Sequence, residues 1–181
     1  MTPPSIIGIA GRARSGKSTA AELLLRLGVG RYLYSFADPI RAMLKAGFAI
    51  DLDTAYWQMR KEDPLPEFGG KSPRELMQSL GTEWGRQMVD PNVWLTLASG
   101  ALRRGGRGMI IADVRFANEA AWVRGMGGVI LHIERGNAPP VRPHASEAGV
   151  PQLEGDLRIF NESTPASLQA GLAKLFQVEE Q

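Results

Sequence analysis

Gly11, Gly16, Lys17 and Ser18 stand in the pattern Gly-x-x-x-x-Gly-Lys-Ser, which is the arrangement in this chain most suited to chemistry. The apolar run 6–10 precedes it, and an apolar-periodic stretch follows, which predicts a strand before the loop and a helix after it. Glycines let the backbone N–H groups meet phosphate oxygens, and the start of a helix favours an anion. Lys17 can reach the β- and γ-phosphates, and the Ser18 hydroxyl can bind Mg²⁺. The pattern therefore predicts a binding loop for a nucleoside triphosphate.

The predicted nucleotide-binding residues are those of this loop and of the first helical turn. They are Gly11, Ala13, Arg14, Ser15, Gly16, Lys17, Ser18 and Thr19. The alternative is a glycine-rich turn that only begins an ordinary helix. The order strand, loop, helix favours the phosphate-binding interpretation, because that is the context in which the motif binds phosphate.

An acidic residue, Asp113, follows the apolar segment 109–112. In a protein with a phosphate-binding loop, such an acid usually holds Mg²⁺ opposite the loop hydroxyl. Ser18 and Asp113 are therefore the predicted metal ligands. The alternative for Asp113 is a helix cap or an ion pair with Arg115. Arg115 itself is predicted to contact a phosphate, because a guanidinium group binds phosphate oxygens in pairs.

Predicted strands alternate with predicted helices along the chain. The strands are 6–10, 32–36, 109–112, 129–134 and 157–161; the helices are 17–27, 38–48, 73–88, 91–103, 118–126 and one that begins at about 163. This alternation predicts an α/β, three-layer fold, in which a parallel sheet of about five strands has helices on both faces. Ligands of such sheets bind at the carboxyl ends of the strands. Polar residues fall there: Ser35, Asp38, Asp113, Arg115 and Arg135.

The sequence predicts one domain over residues 1–181, with a helical substrate-binding insertion at about 38–90. Residues 50–72 are polar and contain prolines and glycines, so we expect them to be irregular and mobile. A second segment rich in proline, 136–151, is predicted to be a short lid-like loop.

Composition excludes several classes of site. The chain has no cysteine and two histidines, which excludes disulfides and thiolate metal sites and argues against a histidine-rich zinc site. The net charge of +2 is close to balance and the arginines are dispersed, so we expect no nucleic-acid partner. No apolar run approaches the ~20 residues of a membrane span. The expected partners are small-molecule nucleotides, without a membrane, in the cytoplasm; homodimer formation is left open.

The predicted helix 73–88 has two different faces at ~100° per residue. The apolar face carries Leu76, Met77, Leu80, Trp84 and Met88. The polar stripe carries Arg74, Gln78, Thr82 and Arg86. We expect the apolar face to pack. The periodicity leaves open whether the polar stripe lines a pocket or faces solvent.

Six blocks together resemble the deoxynucleoside monophosphate kinases of tailed bacteriophages. They are residues 11–18, 35–39, 80–86 (Leu-Gly-Thr-Glu-Trp-Gly-Arg), 90–94, 113–119 (Asp-Val-Arg-Phe-Ala-Asn-Glu) and 144–147. The resemblance extends over about residues 6–161. It implies transfer of the ATP γ-phosphoryl group to a deoxynucleoside monophosphate, with Mg²⁺, on an adenylate-kinase-like fold. The loop 136–151 differs from a large arginine-rich lid, since Arg142 lies inside it and Arg135 at its edge.

Carried over by position, the resemblance gives Lys17 and Ser18 to ATP and Mg²⁺. The predicted substrate-binding residues are Asp38, Arg74, Gln78, Thr82, Arg86, Asp90, Trp94 and Arg115. The predicted catalytic residues are Lys17, Arg86, Arg115 and Arg142, with Arg14 as an alternative donor that closes over the transferring phosphoryl group. No role is assigned to His144, Ser146 or Glu147.

Two other functions are considered. A dephospho-coenzyme A kinase transfers phosphate to a ribose hydroxyl and needs a base, for which Asp38 is the candidate. Asp38 could also be only a helix N-cap, since Pro39 follows it. A nucleotide switch or a nucleic-acid-associated ATPase is disfavoured, because the guanine-reading pattern Asn-Lys-x-Asp is absent and the basic residues are scattered.

Overall fold

The computed structural model describes residues 4–136, 149–162 and 164–178. The chain divides into two compact units. The first consists of Met1–Ser35 with Leu97–Gln181, and the second is Phe36–Thr96. The predicted insertion at about 38–90 falls within the second unit. Each unit has its own cluster of buried apolar side chains.

The first unit contains a parallel sheet of five strands in the order β2-β3-β1-β4-β5. The strands are β1 Ile6–Ala10, β2 Tyr32–Tyr34, β3 Met109–Val114, β4 Val129–Glu134 and β5 Leu157–Phe160. Every residue of β1 is buried, as expected for the central strand of a sheet that is covered on both faces. The predicted five-stranded parallel sheet is confirmed.

Seven α-helices lie within the described ranges. They are α1 Lys17–Arg26, α2 Asp38–Phe48, α3 Ala55–Met59, α4 Pro73–Gln78, α5 Val93–Gly105, α6 Ala117–Gly125 and α7 Pro165–Phe176. A π-helix, Ser79–Val89, follows α4 directly. None of the helices among the described residues is long and apolar enough to cross a membrane.

The sheet of the first unit has helices on both faces. Ile7 and Ile9 point to one face, where they join a core with Leu24 of α1 and Leu172 of α7. On the other face, a Cβ atom built on Gly8 would lie 3.2 Å from Val123 of α6. Glycine at this position therefore lets α6 approach the central strand closely. The predicted three-layer architecture is confirmed.

The second unit is more ordered than the sequence suggested. Residues 50–72, expected to be irregular, contain α3, a 3₁₀ turn at Pro66–Phe68 and a bridge between Leu65 and Lys71. Leu44, Ile50, Leu52 and Leu65 form a buried cluster, which anchors this polar segment at a few apolar points. Because these few apolar residues are far apart in the sequence, they give no periodic hydrophobic pattern, and the segment resembles a loop.

The predicted helix 73–88 is wrong in its second half. It continues as the π-helix, in which the Asp90 N–H donates to the Gly85 oxygen at 3.0 Å, five residues back. Because a π-turn contains more residues than an α-turn, side chains spaced by four no longer lie on one face. Trp84 and Met88, expected to pack, are 41% and 77% exposed.

Several predicted boundaries also shift. Strand β2 ends at Tyr34 rather than at residue 36, and β3 continues through Asp113 to Val114. Helix α6, predicted over 118–126, begins at Ala117. The buried Glu119 carboxylate caps it, since its Oε2 accepts the N–H groups of Arg115 at 2.7 Å and Phe116 at 3.0 Å.

Candidate phosphate-binding site

The loop between β1 and α1 has a backbone that requires its glycines. Gly11, Arg14 and Gly16 have φ angles of 150°, 62° and 99°. A Cβ atom on Gly11 would lie 2.4 Å from the Ile133 oxygen, and one on Gly16 would lie 2.3 Å from Nδ2 of Asn161. Both distances are too short for any side chain. The two glycines of the motif thus allow the loop to press against the ends of β4 and β5.

Lys17 lies at the start of α1 and folds back over the loop. Its Nζ donates to the Gly11 oxygen at 2.8 Å and to the Arg12 oxygen at 2.7 Å. Gly16, the N-cap residue, offers no side-chain hydrogen bond to the helix. The first N–H groups of α1 therefore have no side-chain cap at Gly16, and they carry the positive end of the helix dipole.

The Ser15 hydroxyl adds a further polar group to the loop. Ser15 is 1% exposed, and within the described part of the chain its Oγ has no hydrogen-bond partner. A buried hydroxyl without a partner is costly unless a ligand satisfies it. The glycine cradle, the lysine ammonium and this hydroxyl fit the phosphate tail of a nucleotide. Ala13 is half-buried, while Arg14, Ser18 and Thr19 are exposed around the loop.

The ends of β4 and β5 hold the loop from outside. Nδ2 of Asn161 donates to the Ser15 oxygen at 2.8 Å, and Nη1 of Arg135 reaches the Arg14 oxygen at 3.5 Å. Arg135 was expected at this edge of the sheet, whereas Asn161 was missed. Asn161 directly follows β5, just as Arg135 directly follows β4. A polar residue at the end of a strand is the feature that could have indicated it.

Asp113 lies near the carboxyl end of β3 and is half-buried. Its Oδ2 accepts a hydrogen bond of 2.7 Å from the Ser35 hydroxyl, which follows β2. Among the described residues, no three or more carboxylate or histidine side chains cluster to form a metal site. Mg²⁺ does not need such a cluster, since it commonly takes one or two protein oxygens together with phosphate oxygens and water. Oxygen donors such as those of Ser18 and Asp113 suit that chemistry.

Arg115 is a further predicted cation of this unit. Arg115 follows β3, half-buried, and its backbone N–H is fixed by Glu119. Arg142, His144, Ser146 and Glu147, with most of the predicted lid 136–151, lie outside the described residues.

In the second unit, Asp38 is the first residue of α2 and forms an ion pair with Arg41. The helix N-cap is Ala37, so the interpretation of Asp38 as the N-cap is wrong. Arg41 also lies 3.5 Å from Asp53. No pattern in the sequence distinguishes Arg41, because an arginine three residues after an acid is common on helices.

The predicted polar stripe divides between different environments. Arg74 pairs with Glu62, and Gln78 is half-buried. Thr82, in the π-helix, is 7% exposed, while Nη1 of the half-buried Arg86 donates to the Pro91 oxygen at 3.2 Å. The stripe is therefore not a uniformly solvated face.

Asp90 and Trp94 both have structural partners in the second unit. The exposed Asp90 carboxylate accepts the Asn92 N–H at 2.6 Å just before α5. Trp94 is 2% exposed, and its indole N–H donates to the Gly81 oxygen at 2.8 Å. Trp94 is thus buried, and its contact with the substrate stays a prediction.

Comparison with known proteins agrees with this geometry. A family model described as deoxynucleotide monophosphate kinase matches residues 69–172. A protein of Acanthamoeba polyphaga mimivirus, provisionally named as a deoxynucleotide monophosphate kinase, is 31% identical over 174 residues; the match covers 88% of this chain and 89% of that protein.

Two phage enzymes named deoxynucleotide monophosphate kinase are also similar. The one from Escherichia phage RB69 is 31% identical over 110 residues, and the one from Enterobacteria phage T4 is 32% identical over 111 residues. Each match covers 59% of this chain, but only 45% and 46% of the phage proteins. This chain therefore matches less than half the length of these two relatives.

A solved structure shares the fold. It belongs to a Chloroflexus aurantiacus protein described provisionally as a kinase, and it superposes with a TM-score of 0.51 at 14% identity over 98% of both chains.

Proposed function

Because this chain belongs to the deoxynucleotide monophosphate kinase family, we propose that it transfers the γ-phosphoryl group of ATP to a deoxynucleoside monophosphate, giving ADP and the deoxynucleoside diphosphate. The chain is a phosphotransferase. The observation that supports the donor side most directly is the loop 11–18, which combines two glycines in strained backbone positions, a buried hydroxyl without a partner and the Lys17 ammonium.

On the donor side, Lys17 and the N–H groups at the start of α1 bind the triphosphate. Mg²⁺, held by Ser18 and by Asp113, would neutralise charge on the phosphates. The Ser35 hydroxyl, bonded to Asp113, fixes the orientation of that carboxylate. Binding these groups in fixed positions accounts for most of the catalysis of phosphoryl transfer, because the reaction needs electrostatic stabilisation more than covalent help.

On the acceptor side, the chemistry requires cations and no base. The second pKa of a phosphate monoester is near 6, so the attacking oxygen is largely ionised at pH 7. We assign the acceptor phosphate to Arg86 and Arg115. The other predicted substrate-binding residues are assigned to the sugar and base, namely Asp38, Arg74, Gln78, Thr82, Asp90 and Trp94. Arg142 is assigned to the closing lid.

A substrate panel tests the proposal. Release of ADP from Mg·ATP is measured with each deoxynucleoside and ribonucleoside monophosphate and with dephospho-coenzyme A. We expect ADP and a deoxynucleoside diphosphate in equal amounts with at least one deoxynucleoside monophosphate. Turnover with dephospho-coenzyme A alone would show instead that the enzyme phosphorylates a ribose hydroxyl. Hydrolysis of ATP that only DNA or RNA stimulates would support an ATPase instead.

Nucleotides are thus the proposed partners. Location in the cytoplasm and a homodimeric assembly stay predictions, which fractionation and sedimentation would test.

A further inference from the structure

Asn161 is held firmly at the end of the sheet. Its backbone N–H donates to the Glu134 oxygen at 2.8 Å. This bond continues the pairing of β4 with β5 one residue beyond the last strand pair, Glu134 with Phe160. The backbone of Asn161 therefore has little freedom to move, and its side chain leaves the sheet at a fixed point beside the loop 11–18.

The amide of Asn161 fixes one peptide group of that loop. Nδ2 donates to the Ser15 oxygen at 2.8 Å. A trans peptide is planar, so its N–H points away from its C=O. The Gly16 N–H, in the same peptide as the Ser15 oxygen, must therefore point away from Asn161. Gly16 also provides the space for this contact, since a Cβ atom there would lie 2.3 Å from Nδ2.

Two neighbouring donors are left for a ligand. The Ser15 N–H is used within the loop, where it donates to the Arg12 oxygen at 3.2 Å. The Gly16 N–H has no acceptor in the described part of the chain. The buried Ser15 hydroxyl likewise lacks a partner there. Two adjacent donors without acceptors in a buried loop suit the oxygens of a phosphate group.

We propose that Asn161 is a positioning residue, which orients the Gly16 N–H toward the phosphates of the donor nucleotide, beside the buried Ser15 hydroxyl. The proposal rests on the proposed function only in taking ATP as the donor. Asn161 does not touch the reacting atoms. Its effect passes through the peptide of Ser15 and Gly16, so it should change donor binding and leave acceptor binding alone.

The test compares Asn161→Ala with Asn161→Asp and with a control, Glu162→Gln. Asp keeps the shape of Asn but cannot donate to the Ser15 oxygen. Glu162 is the next residue, exposed and outside the proposed site. Binding of Mg·ATP without acceptor is measured by calorimetry, and the KM values for ATP and for the acceptor are measured separately. Thermal unfolding shows whether each variant is folded.

We expect Asn161→Ala to weaken ATP binding and to raise the KM for ATP about tenfold. This is the effect of losing one well-oriented hydrogen bond from the Gly16 N–H to a charged phosphate. Asn161→Asp should weaken ATP binding at least as much, because it also brings a negative charge near the phosphates. The KM for the acceptor should stay within about twofold of the wild-type value. Glu162→Gln should behave like the wild type in every assay.

Wild-type ATP affinity in folded Asn161→Ala would overturn the proposal. Equal increases in the KM values for both substrates would also overturn it, since they indicate general damage to the fold. If Asn161→Ala does not fold, the same criteria apply to Asn161→Asp. A wild-type protein that binds Mg·ATP but phosphorylates no deoxynucleoside monophosphate would refute the proposed function, while the binding comparison would still decide the role of Asn161.

Discussion

Lys17 is the residue on whose charge the proposed reaction depends most. Its Nζ already lies over the loop, bonded to the Gly11 and Arg12 oxygens. A cation in this place is held by main-chain acceptors, so it needs little reorganisation to meet a phosphate. The same two bonds also tie the loop to the first turn of α1.

We predict that Lys17→Ala lowers kcat by about a thousandfold, the upper range for loss of one preorganised donor in a site of this kind. Steady-state release of ADP measures the effect. Circular dichroism and thermal unfolding should show a folded protein, because Ala is a good helix former at the start of α1. Turnover within tenfold of the wild type would exclude Lys17 from the transition state.

Arg86 is the corresponding residue of the proposed acceptor site. We predict that Arg86→Ala raises the KM for the deoxynucleoside monophosphate about tenfold or more and lowers kcat, while the KM for ATP changes little. Arg86→Lys should recover only part of the loss, since an ammonium group cannot form the paired bonds of a guanidinium.

The matched control is Arg60→Ala in the same unit. Arg60 pairs with Asp63 and lies 5.3 Å from the centre of the Tyr56 ring, in no proposed site. Its removal should leave both KM values unchanged. Equal kinetic constants for Arg86→Ala and Arg60→Ala would remove Arg86 from the acceptor site.

Among the elements, the π-helix Ser79–Val89 is the most unusual. Long π-helices are rare, because the wide turn is hard to fill. Here Trp94 supports it from α5, with its indole N–H on the Gly81 oxygen and its ring against Gly85. A Cβ atom on Gly85 would lie 2.4 Å from the Trp94 ring. Gly85 therefore gives Trp94 the space that it needs beside the helix carrying Thr82 and Arg86.

We predict that Gly85→Ala destabilises the protein by about 1–3 kcal/mol, the usual cost of forcing an extra carbon into a packed interior. Gly47→Ala in α2 is the control. A Cβ atom on Gly47 meets nothing within 4 Å, so alanine there should stabilise the helix by about 0.5 kcal/mol. Urea unfolding of both variants measures the free energies. A Gly85→Ala variant as stable as the wild type would show that the contact with Trp94 is loose.

Across the molecule, one buried charge cluster joins distant parts of the first unit. The side chain of Asp156, just before β5, is 2% exposed and accepts hydrogen bonds from Arg124 of α6, His132 of β4 and the Leu153 N–H. Burial by itself raises the pKa of Asp156, but the hydrogen bonds from Arg124, Leu153 and His132 together outweigh it, and the pKa is lowered. The ionised carboxylate is thus the form that the fold stabilises.

The sign of the pH dependence follows from this lowered pKa. The contribution of Asp156 is fully present above the unfolded-state pKa of about 3.9 and is lost as pH falls through the lower folded-state pKa. We predict that Asp156→Asn lowers the free energy of unfolding by about 2–3 kcal/mol at pH 7, because Arg124 loses its buried partner. The difference from the wild type should narrow below about pH 4.

Urea unfolding at several pH values measures this difference, with Asp63→Asn as the control. Asp63 pairs with Arg60 but is about half exposed, so its loss should cost much less. A gap between Asp156→Asn and the wild type that does not change with pH would mean that packing, and not charge, accounts for the effect.

The amino-acid order alone was enough to predict the loop 11–18 and the sheet. Both are encoded locally: the loop in the spacing of Gly11, Gly16 and Lys17, and the strands in short apolar runs such as Ile6–Ala10 and Val129–Glu134. Such local patterns can be recognised without knowing which residues they contact in the fold. They were therefore enough to establish the fold class and to place Asp113 and Ser35 at the same edge of the sheet.

The contacts of the remaining residues became visible only in the folded chain. Asn161 and Ser15 are 146 positions apart, and no local pattern joins them. The indole of Trp94 packs against Gly85 and donates to the Gly81 oxygen of the π-helix, whereas the periodicity of residues 73–88 alone predicts an ordinary α-helix. Contacts between distant side chains depend on their shapes and on hydrogen-bonding groups that lack a local partner. The order of residue types shows neither of these.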